Sequence, residues 1–225
     1  MRIDPTVLPR LLQLCSPTLP VGAYAYSQGL ECAVDRGWVR DEASAGAWIL
    51  GLLSHALRRL DLPVFTRLYG AWEAADANTV RRWNARLYAS REAAELQRED
   101  RQLGAALARL LTDLGVAEAA SWRNAPRVCF ATLFSLAAAR WEIPLREATT
   151  GYAWAWTENQ VTAATRLIPL GQTASQRLLV AAGPAIAAAV EQGLTLADEE
   201  IGAAAPGLAL AGALHETQYS RLFRS

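Results

Sequence analysis

A chain of 225 residues with 52% hydrophobic and 20% charged residues has the composition of a globular protein and not of a disordered one. Its 22 basic and 22 acidic residues leave no net charge, which argues against a chain built to bind nucleic acid or an anionic membrane. All the basic residues are arginine. Without lysine, the P-loop NTPases, Schiff-base enzymes and lysine-dependent protein kinases are excluded.

The three cysteines are too few and too scattered for a zinc site or a disulfide framework, so no metal-ligand set is predicted. Residues Met1–Pro5 contain no basic region that leads into an apolar segment, and we expect no signal peptide. The apolar stretches Leu178–Val190 and Ile201–Leu214 fall short of the roughly 18–20 residues that cross a bilayer, and each contains proline. These features predict a cytoplasmic chain that does not span a membrane.

The proline-rich stretch Ser16–Ala23 is predicted to be an extended connection between two helices, because proline and glycine interrupt helices. No charge occurs from Leu11 to Leu30, although this segment contains Tyr24 and Tyr26. A long uncharged loop is either buried in a helical core or presented to a partner. Both interpretations remain open at this stage.

Helical spacing of apolar residues dominates the rest of the chain. Asp41 is predicted to cap a helix, Asp61 with Pro63 to start a new one, and Pro184 to kink the helix over Gln172–Gln192. No segment alternates in the manner of a strand. The sequence therefore predicts an all-α fold: one globular domain over residues 1–225, with about ten helices and antiparallel packing.

Charges of both signs alternate from Arg91 to Arg101 on a helix whose leucines mark its buried side. Glu92, Glu95 and Glu99 lie about one turn apart and could form a carboxylate pair. The interleaved arginines favour a solvated face with ion pairs over a metal site. We therefore predict that these glutamates lie on the surface.

Catalytic signatures are missing from the sequence, including the Gly-x-Gly spacing of dinucleotide sites and the Gly-x-Ser-x-Gly elbow. His55 is predicted to be a partly buried, hydrogen-bonded residue, and His215, near the chain end, could be structural or functional. We predict no catalytic residue. The alternative is an uncharacterised all-helical hydrolase that uses either histidine with a carboxylate, and a helical nucleic-acid binder is a third hypothesis that the zero net charge disfavours.

The C-terminal segment His215–Ser225 combines Tyr219, Leu222 and Phe223 with two arginines. Ordering its eleven residues costs about 1–2 kcal/mol each in backbone entropy, whereas burying the three apolar side chains returns about 1.5–3 kcal/mol each. The cost is larger, so the tail is predicted to be mobile unless it continues a helix or binds a partner. Tyrosine, phenylalanine and arginine are typical anchors of protein interfaces.

A set of short motifs, read in chain order and ending with this tail, resembles the UreF family of urease accessory proteins over nearly the whole chain. The motifs are Leu19–Gly22, Tyr26–Glu31, Gly37–Val39, Asp61–Pro63, Arg91-Glu92, Glu95-Leu96, Gly151-Tyr152, Arg166, Pro169–Gln172 and His215–Ser225.

The resemblance implies a homodimeric, non-enzymatic chaperone and adapter in a cytoplasmic nickel-delivery complex. Such a protein would bridge UreD (UreH in some organisms) and the GTPase UreG, regulate GTP hydrolysis, and dock on apo-urease. Ni(II) and GTP would be handled by the complex through its partners, with no cofactor bound tightly to this chain.

Carried to this sequence, the resemblance implies two sets of contact residues. The set expected to face UreD/UreH, and to become ordered on binding, is Glu216, Thr217, Gln218, Tyr219, Ser220, Arg221, Leu222, Phe223 and Arg224. The set expected to meet UreG or to line a route for nickel is Tyr24, Gln28, Glu31, Asp61, Arg166 and Gln172.

Overall fold

The computed structural model describes residues 4–202 and 205–225. Within these ranges the chain forms ten α-helices and no β-strand, which confirms the predicted all-α fold class. The helices are α1 (Leu8–Cys15), α2 (Leu30–Asp35), α3 (Glu42–Leu52), α4 (Leu62–Glu73), α5 (Ala77–Ala89), α6 (Ala94–Asp113), α7 (Phe130–Arg140), α8 (Leu145–Leu167), α9 (Gln172–Thr195) and α10 (Pro206–His215).

One helical run over residues 42–73 forms the centre of the fold. It begins as predicted, because an oxygen of the Asp41 side chain accepts a hydrogen bond from the Ser44 amide at 2.8 Å. Its last part, α4, contacts α5, α7, α8 and α9. There Phe65 is fully buried and packs edge-on against Phe134 of α7, with 5.9 Å between the ring centroids.

A helix, α4, begins after Asp61 with Pro63 in its first turn as predicted, but it continues the preceding helical stretch without a break. Asp61 has helical backbone angles, and its side chain caps no amide. The preceding stretch Leu53–Asp61 is π-helical, and the Leu62 amide donates to the carbonyl of Leu57. Because a π turn is wider than an α turn, the chain accommodates Pro63 without the clash that interrupts an α-helix. The pair Asp61 and Pro63 thus lies where the π-helical stretch passes into the α-helix α4.

The long helix α9 packs on α4, α8 and the π-helical stretch. It runs through Pro184 to Thr195, three residues beyond the helix that the sequence predicted over Gln172–Gln192. Among the described helices, α9 alone is long and apolar enough to cross a membrane by length and composition, and 28% of its apolar window is buried in the fold. Ala182, Ile186 and Val190 supply the buried side.

Two glycines bring α10 close to its neighbours. Gly29, which precedes α2, has a φ of +76°, and a Cβ atom there would lie 2.9 Å from the Cβ of Ala211 on α10. On the other side, a Cβ atom at Gly212 would lie 2.9 Å from the Cβ of Ala93, next to α6. The last helix is therefore held between α2 and α6, and this packing positions His215 at its end.

Candidate functional site

Five carboxylates are buried in the interior near α2, α6 and the end of the π-helical stretch. Glu31 is 7% exposed, Asp61 4%, Glu95 2%, Glu99 3% and Asp100 5%. The prediction that Glu95 and Glu99 lie on a solvated face is therefore wrong. Burying ionisable groups is costly unless they find partners, so their contacts define the site.

His215 is fully buried and joins the carboxylates of α2 and α6. Its Nδ1 lies 2.6 Å from Oε2 of Glu95, and its Nε2 lies 3.0 Å from Oε2 of Glu31. Both ring nitrogens are occupied, and within residues 4–202 and 205–225 no three His, Cys, Asp or Glu side chains are arranged to hold a metal ion.

The hydrolase alternative requires an accessible histidine paired with a carboxylate, and residues 4–202 and 205–225 contain no such pair. His215 is inside the fold, and its ring is already bonded on both sides. His55 is exposed, although the sequence predicted it to be partly buried. It lies in the π-helical stretch, where the changed number of residues per turn alters which side chains share a face.

The C-terminal tail folds back onto Glu31. Oε1 of Glu31 accepts a hydrogen bond from the Leu222 amide at 2.6 Å, and Oε2 accepts one from the Phe223 amide at 2.9 Å. The Phe223 ring is buried, and the Arg166 guanidinium lies 4.9 Å from its centroid. The sequence predicted a tail that is mobile unless it continues a helix or binds a partner. In the structure the tail is packed, and these charge-assisted hydrogen bonds were not included in the entropy comparison.

The last two residues are bound to the uncharged N-terminal loop. The Ser27 amide donates to the carbonyl oxygen of Ser225 at 2.9 Å, and the Arg224 amide donates to the carbonyl oxygen of Ala25 at 2.9 Å. The Ser225 hydroxyl donates to Oε2 of Glu99 at 2.8 Å. Part of the uncharged loop is thus buried beneath the tail.

Glu99 lies directly under the end of the tail. Its Oε1 accepts a hydrogen bond from Nε2 of Gln28 at 2.7 Å, and Trp156 donates to the Gln28 side-chain oxygen at 2.7 Å. Burial raises the pKa of Glu99 to about 7, although the hydrogen bonds from Gln28 and Ser225 oppose this rise. A carboxyl group that titrates near neutral pH therefore contacts the chain end.

Asp61 belongs to a second buried network. Arg91 bonds Asp61 Oδ1 at 2.6 Å and Asp100 Oδ2 at 2.9 Å. Burial lowers the pKa of Arg91, but the two aspartates outweigh it and hold that pKa well above its ordinary value. Asp61 is inside the fold, so the free chain does not present it on its surface.

Two residues of the second predicted set contact the tail directly, and two more are linked to it through one further residue. Glu31 and Arg166 contact Phe223, Gln28 shares Glu99 with the chain end, and Arg166 Nη1 donates to the Tyr24 carbonyl at 3.3 Å. Gln172 is exposed at the start of α9, and none of the described contacts joins it to this group. The structure thus merges most of two sets that the sequence kept apart.

The outer side of the packed tail remains accessible. Tyr219, Leu222 and Tyr24 are 105%, 55% and 66% exposed, and the side chains of Arg166 and Arg221 are exposed beside them. We call these five side chains the tail surface. Arg221 is anchored from below, since its Nη1 lies 2.7 Å from Oε1 of the buried Glu95. The remaining residues of the first set lie in the turn after α10: Glu216, Thr217, Gln218 and Ser220.

Comparison with known proteins identifies the family. Residues 39–183 match the family model described as UreF. Over 216 residues the chain is 55% identical to the urease accessory protein UreF of Alkalilimnicola ehrlichii, an alignment that covers 96% of this chain and 95% of that relative. The chain belongs to the UreF family of urease accessory proteins. Further UreF proteins, from Chromohalobacter salexigens and Teredinibacter turnerae, are 49% and 52% identical over at least 96% of each chain.

Membership of the UreF family confirms the resemblance found in the sequence. The relatives are named as accessory proteins, and this UreF-family chain is accordingly an accessory protein and not an enzyme. The family model covers residues 39–183, so of the tail surface it includes only Arg166. The alignments with the UreF relatives extend over nearly the whole chain. The family therefore does not by itself assign a role to residues 216–225.

Proposed function

We propose that this chain is a urease maturation factor that bridges UreD (or UreH) and the GTPase UreG in the cytoplasm. In this role it regulates GTP-dependent delivery of Ni(II) to apo-urease. The chain acts as a homodimeric scaffold, while GTP and Ni(II) are bound by its partners. The single observation that carries the proposal is the tail surface, which is held in place by buried contacts and exposes groups typical of interface anchors.

The composition of the tail surface suits protein recognition. Tyr219 and Leu222 are exposed apolar side chains, and Arg221 and Arg166 lie beside them. Aromatic residues and arginine dominate the binding energy of protein interfaces, especially where packing holds them in place. Because Glu31 and Glu95 already fix the tail, a partner that binds here loses less free energy to ordering than one that binds a mobile segment.

The arrangement of the predicted residues suggests how two partners bind side by side. In our proposal, UreD/UreH binds the tail residues, with Tyr219 and Leu222 as anchors. UreG binds at the edge formed by Tyr24 and Arg166. Arg166 contacts both Phe223 of the tail and the Tyr24 backbone, so the two proposed areas are in direct physical contact.

Co-elution on a sizing column tests the proposal. The chain is mixed with purified UreD/UreH and UreG homologues, with and without GTP and Ni(II). We expect a joint complex with the unmodified chain, and loss of UreD/UreH with the double variant Tyr219→Ala/Leu222→Ala. The matched control is Leu12→Ala, because Leu12 is 61% exposed on α1, away from the tail surface.

Two outcomes would contradict the proposal. If the unmodified chain co-elutes with neither partner under any nucleotide or nickel condition, the adapter function is wrong. If the double variant binds as tightly as the Leu12→Ala control, the chain still functions as an adapter, but the tail surface is not its binding site.

A further inference from the structure

An open groove of about 690 Å³ lies next to the tail surface. It runs between α6 and the segment that leads into α7. Arg101 and Arg109 of α6, Arg123 before α7, and Arg224 of the tail line it, and all four side chains are exposed. Among the described residues that line the groove there is no aspartate or glutamate.

The four arginines form no ion pair within the part of the chain that the structure describes. Asp113 lies one helical turn beyond Arg109. It does not line the groove, and it forms no ion pair with Arg109 in the part of the chain that the structure describes. Some other surface arginines are neutralised locally, for example Arg140 by Glu118 at 2.6 Å. Four like charges around one concave surface create a positive potential that attracts an anionic group.

The fold produces this potential although the chain has no net charge. Three of the four acidic residues of α6, Glu95, Glu99 and Asp100, are buried, and Asp113 at its end does not line the groove. Arg101 and Arg109 are exposed, about two turns apart, and Ala105 and Ala106 line the groove between them. Burial removes negative charge from the surface and leaves the arginines unbalanced there.

We propose that this groove binds an acidic segment of a partner protein. Guanidinium groups pair with carboxylates through two parallel hydrogen bonds, and arginine suits this role better than lysine. The floor is formed by small side chains, Ala105, Ala106 and Pro126, which leave room for an extended backbone. A nucleic acid fits less well, because the arginines are confined to one groove and the chain has no overall positive charge to bind a long phosphate backbone.

Fluorescence anisotropy with the full chain tests this binding. The probe is a fluorescein-labelled peptide of alternating glutamate and alanine, and the comparison is a single-stranded oligothymidine of equal charge. We expect the peptide to bind, and raising the salt concentration from about 50 to about 200 mM to weaken binding several-fold. The variant Arg101→Glu/Arg109→Glu should bind at least about tenfold more weakly, which corresponds to about 1.4 kcal/mol.

The matched control reverses two exposed arginines outside the groove, Arg40→Glu/Arg81→Glu, and should bind the peptide like the unmodified chain. The thermal unfolding midpoint of each variant verifies that it is folded. The inference is overturned if the peptide does not bind, if both double variants lose binding equally, or if the oligothymidine binds more tightly than the peptide. None of these results depends on whether UreD/UreH and UreG co-elute with the chain.

Discussion

Replacing Glu99 by glutamine is expected to stabilise the folded chain above neutral pH. Glu99 is buried, and burial raises the pKa of its carboxyl from the ordinary 4.5 to about 7. The folded state therefore binds a proton more tightly than the unfolded state does. As a consequence, the free energy of unfolding should fall as the pH rises from about 4.5 to about 7, and level off above this range.

The magnitude follows from the same pKa values. Each pKa unit corresponds to about 1.4 kcal/mol, so the ionised carboxylate costs the folded state about 3 kcal/mol above pH 7. Glutamine stays neutral, and its oxygen still accepts the hydrogen bond from Gln28, while its amide can donate to the Ser225 oxygen. One less favourable hydrogen bond costs about 1 kcal/mol. The variant should therefore gain about 2 kcal/mol at pH 8 and change stability by less than about 0.5 kcal/mol at pH 5, where about half a pKa unit of the penalty already offsets the weaker hydrogen bond.

Urea unfolding followed by tryptophan fluorescence at pH 5 and pH 8 measures both values. The control is Glu118→Gln, because Glu118 is partly exposed and its hydrogen bond with Arg140 lowers its pKa. That variant should lose at most about 1 kcal/mol, as expected for a surface ion pair. The reasoning is refuted if the stability of Glu99→Gln relative to the unmodified chain is the same at pH 8 as at pH 5.

Three further predictions concern the free energy of unfolding measured in urea. Phe223→Ala should cost about 3 kcal/mol, because the ring is buried, whereas Tyr219→Ala should change stability by less than about 0.5 kcal/mol; equal effects would mean that the tail is detached in solution. Arg91→Met should cost about 3–5 kcal/mol, since two buried aspartates lose their cation, and a loss below 1 kcal/mol would contradict the buried network. Gly29→Ala should destabilise the chain, because Gly29 has a positive φ and lies against α10. Gly70→Ala should stabilise the chain by about 0.5–1 kcal/mol, because Gly70 is inside a helix with open space around it. Effects of the same sign for the two variants would contradict this packing.

Much of the helical fold was predictable because neighbouring residues determine it. Asp41 caps α3 through an amide only three residues away, which is a local effect. The pair Asp61 and Pro63 gave an equally strong local signal and marked the start of α4, but it did not show that α4 continues the preceding turns. Whether a proline starts a helix or ends a π-helical stretch depends on the packing of the preceding turns, and no local pattern in the sequence reports that packing.

The candidate site was harder to predict because its contacts join distant parts of the chain. Glu95 and His215 are 120 residues apart in sequence, and Glu31 and Phe223 are 192 apart. One signal was present: Glu99 and Asp100 fall at helical spacing from Leu103, on the leucine side of α6, which indicates carboxylates that face inward. The family resemblance pointed to the tail, but no sequence pattern showed that Glu31 accepts hydrogen bonds from the tail backbone.

Hydrogen–deuterium exchange of the full chain, alone and with UreD/UreH, most directly tests the claim that the tail surface is assembled before a partner binds. In the free chain we expect slow exchange at the Leu222 and Phe223 amides, because both donate to Glu31. The complex should add protection from Glu216 to Arg221. Fast exchange at Leu222 and Phe223 in the free chain, or a complex that leaves the exchange of residues 216–221 unchanged, would contradict the claim.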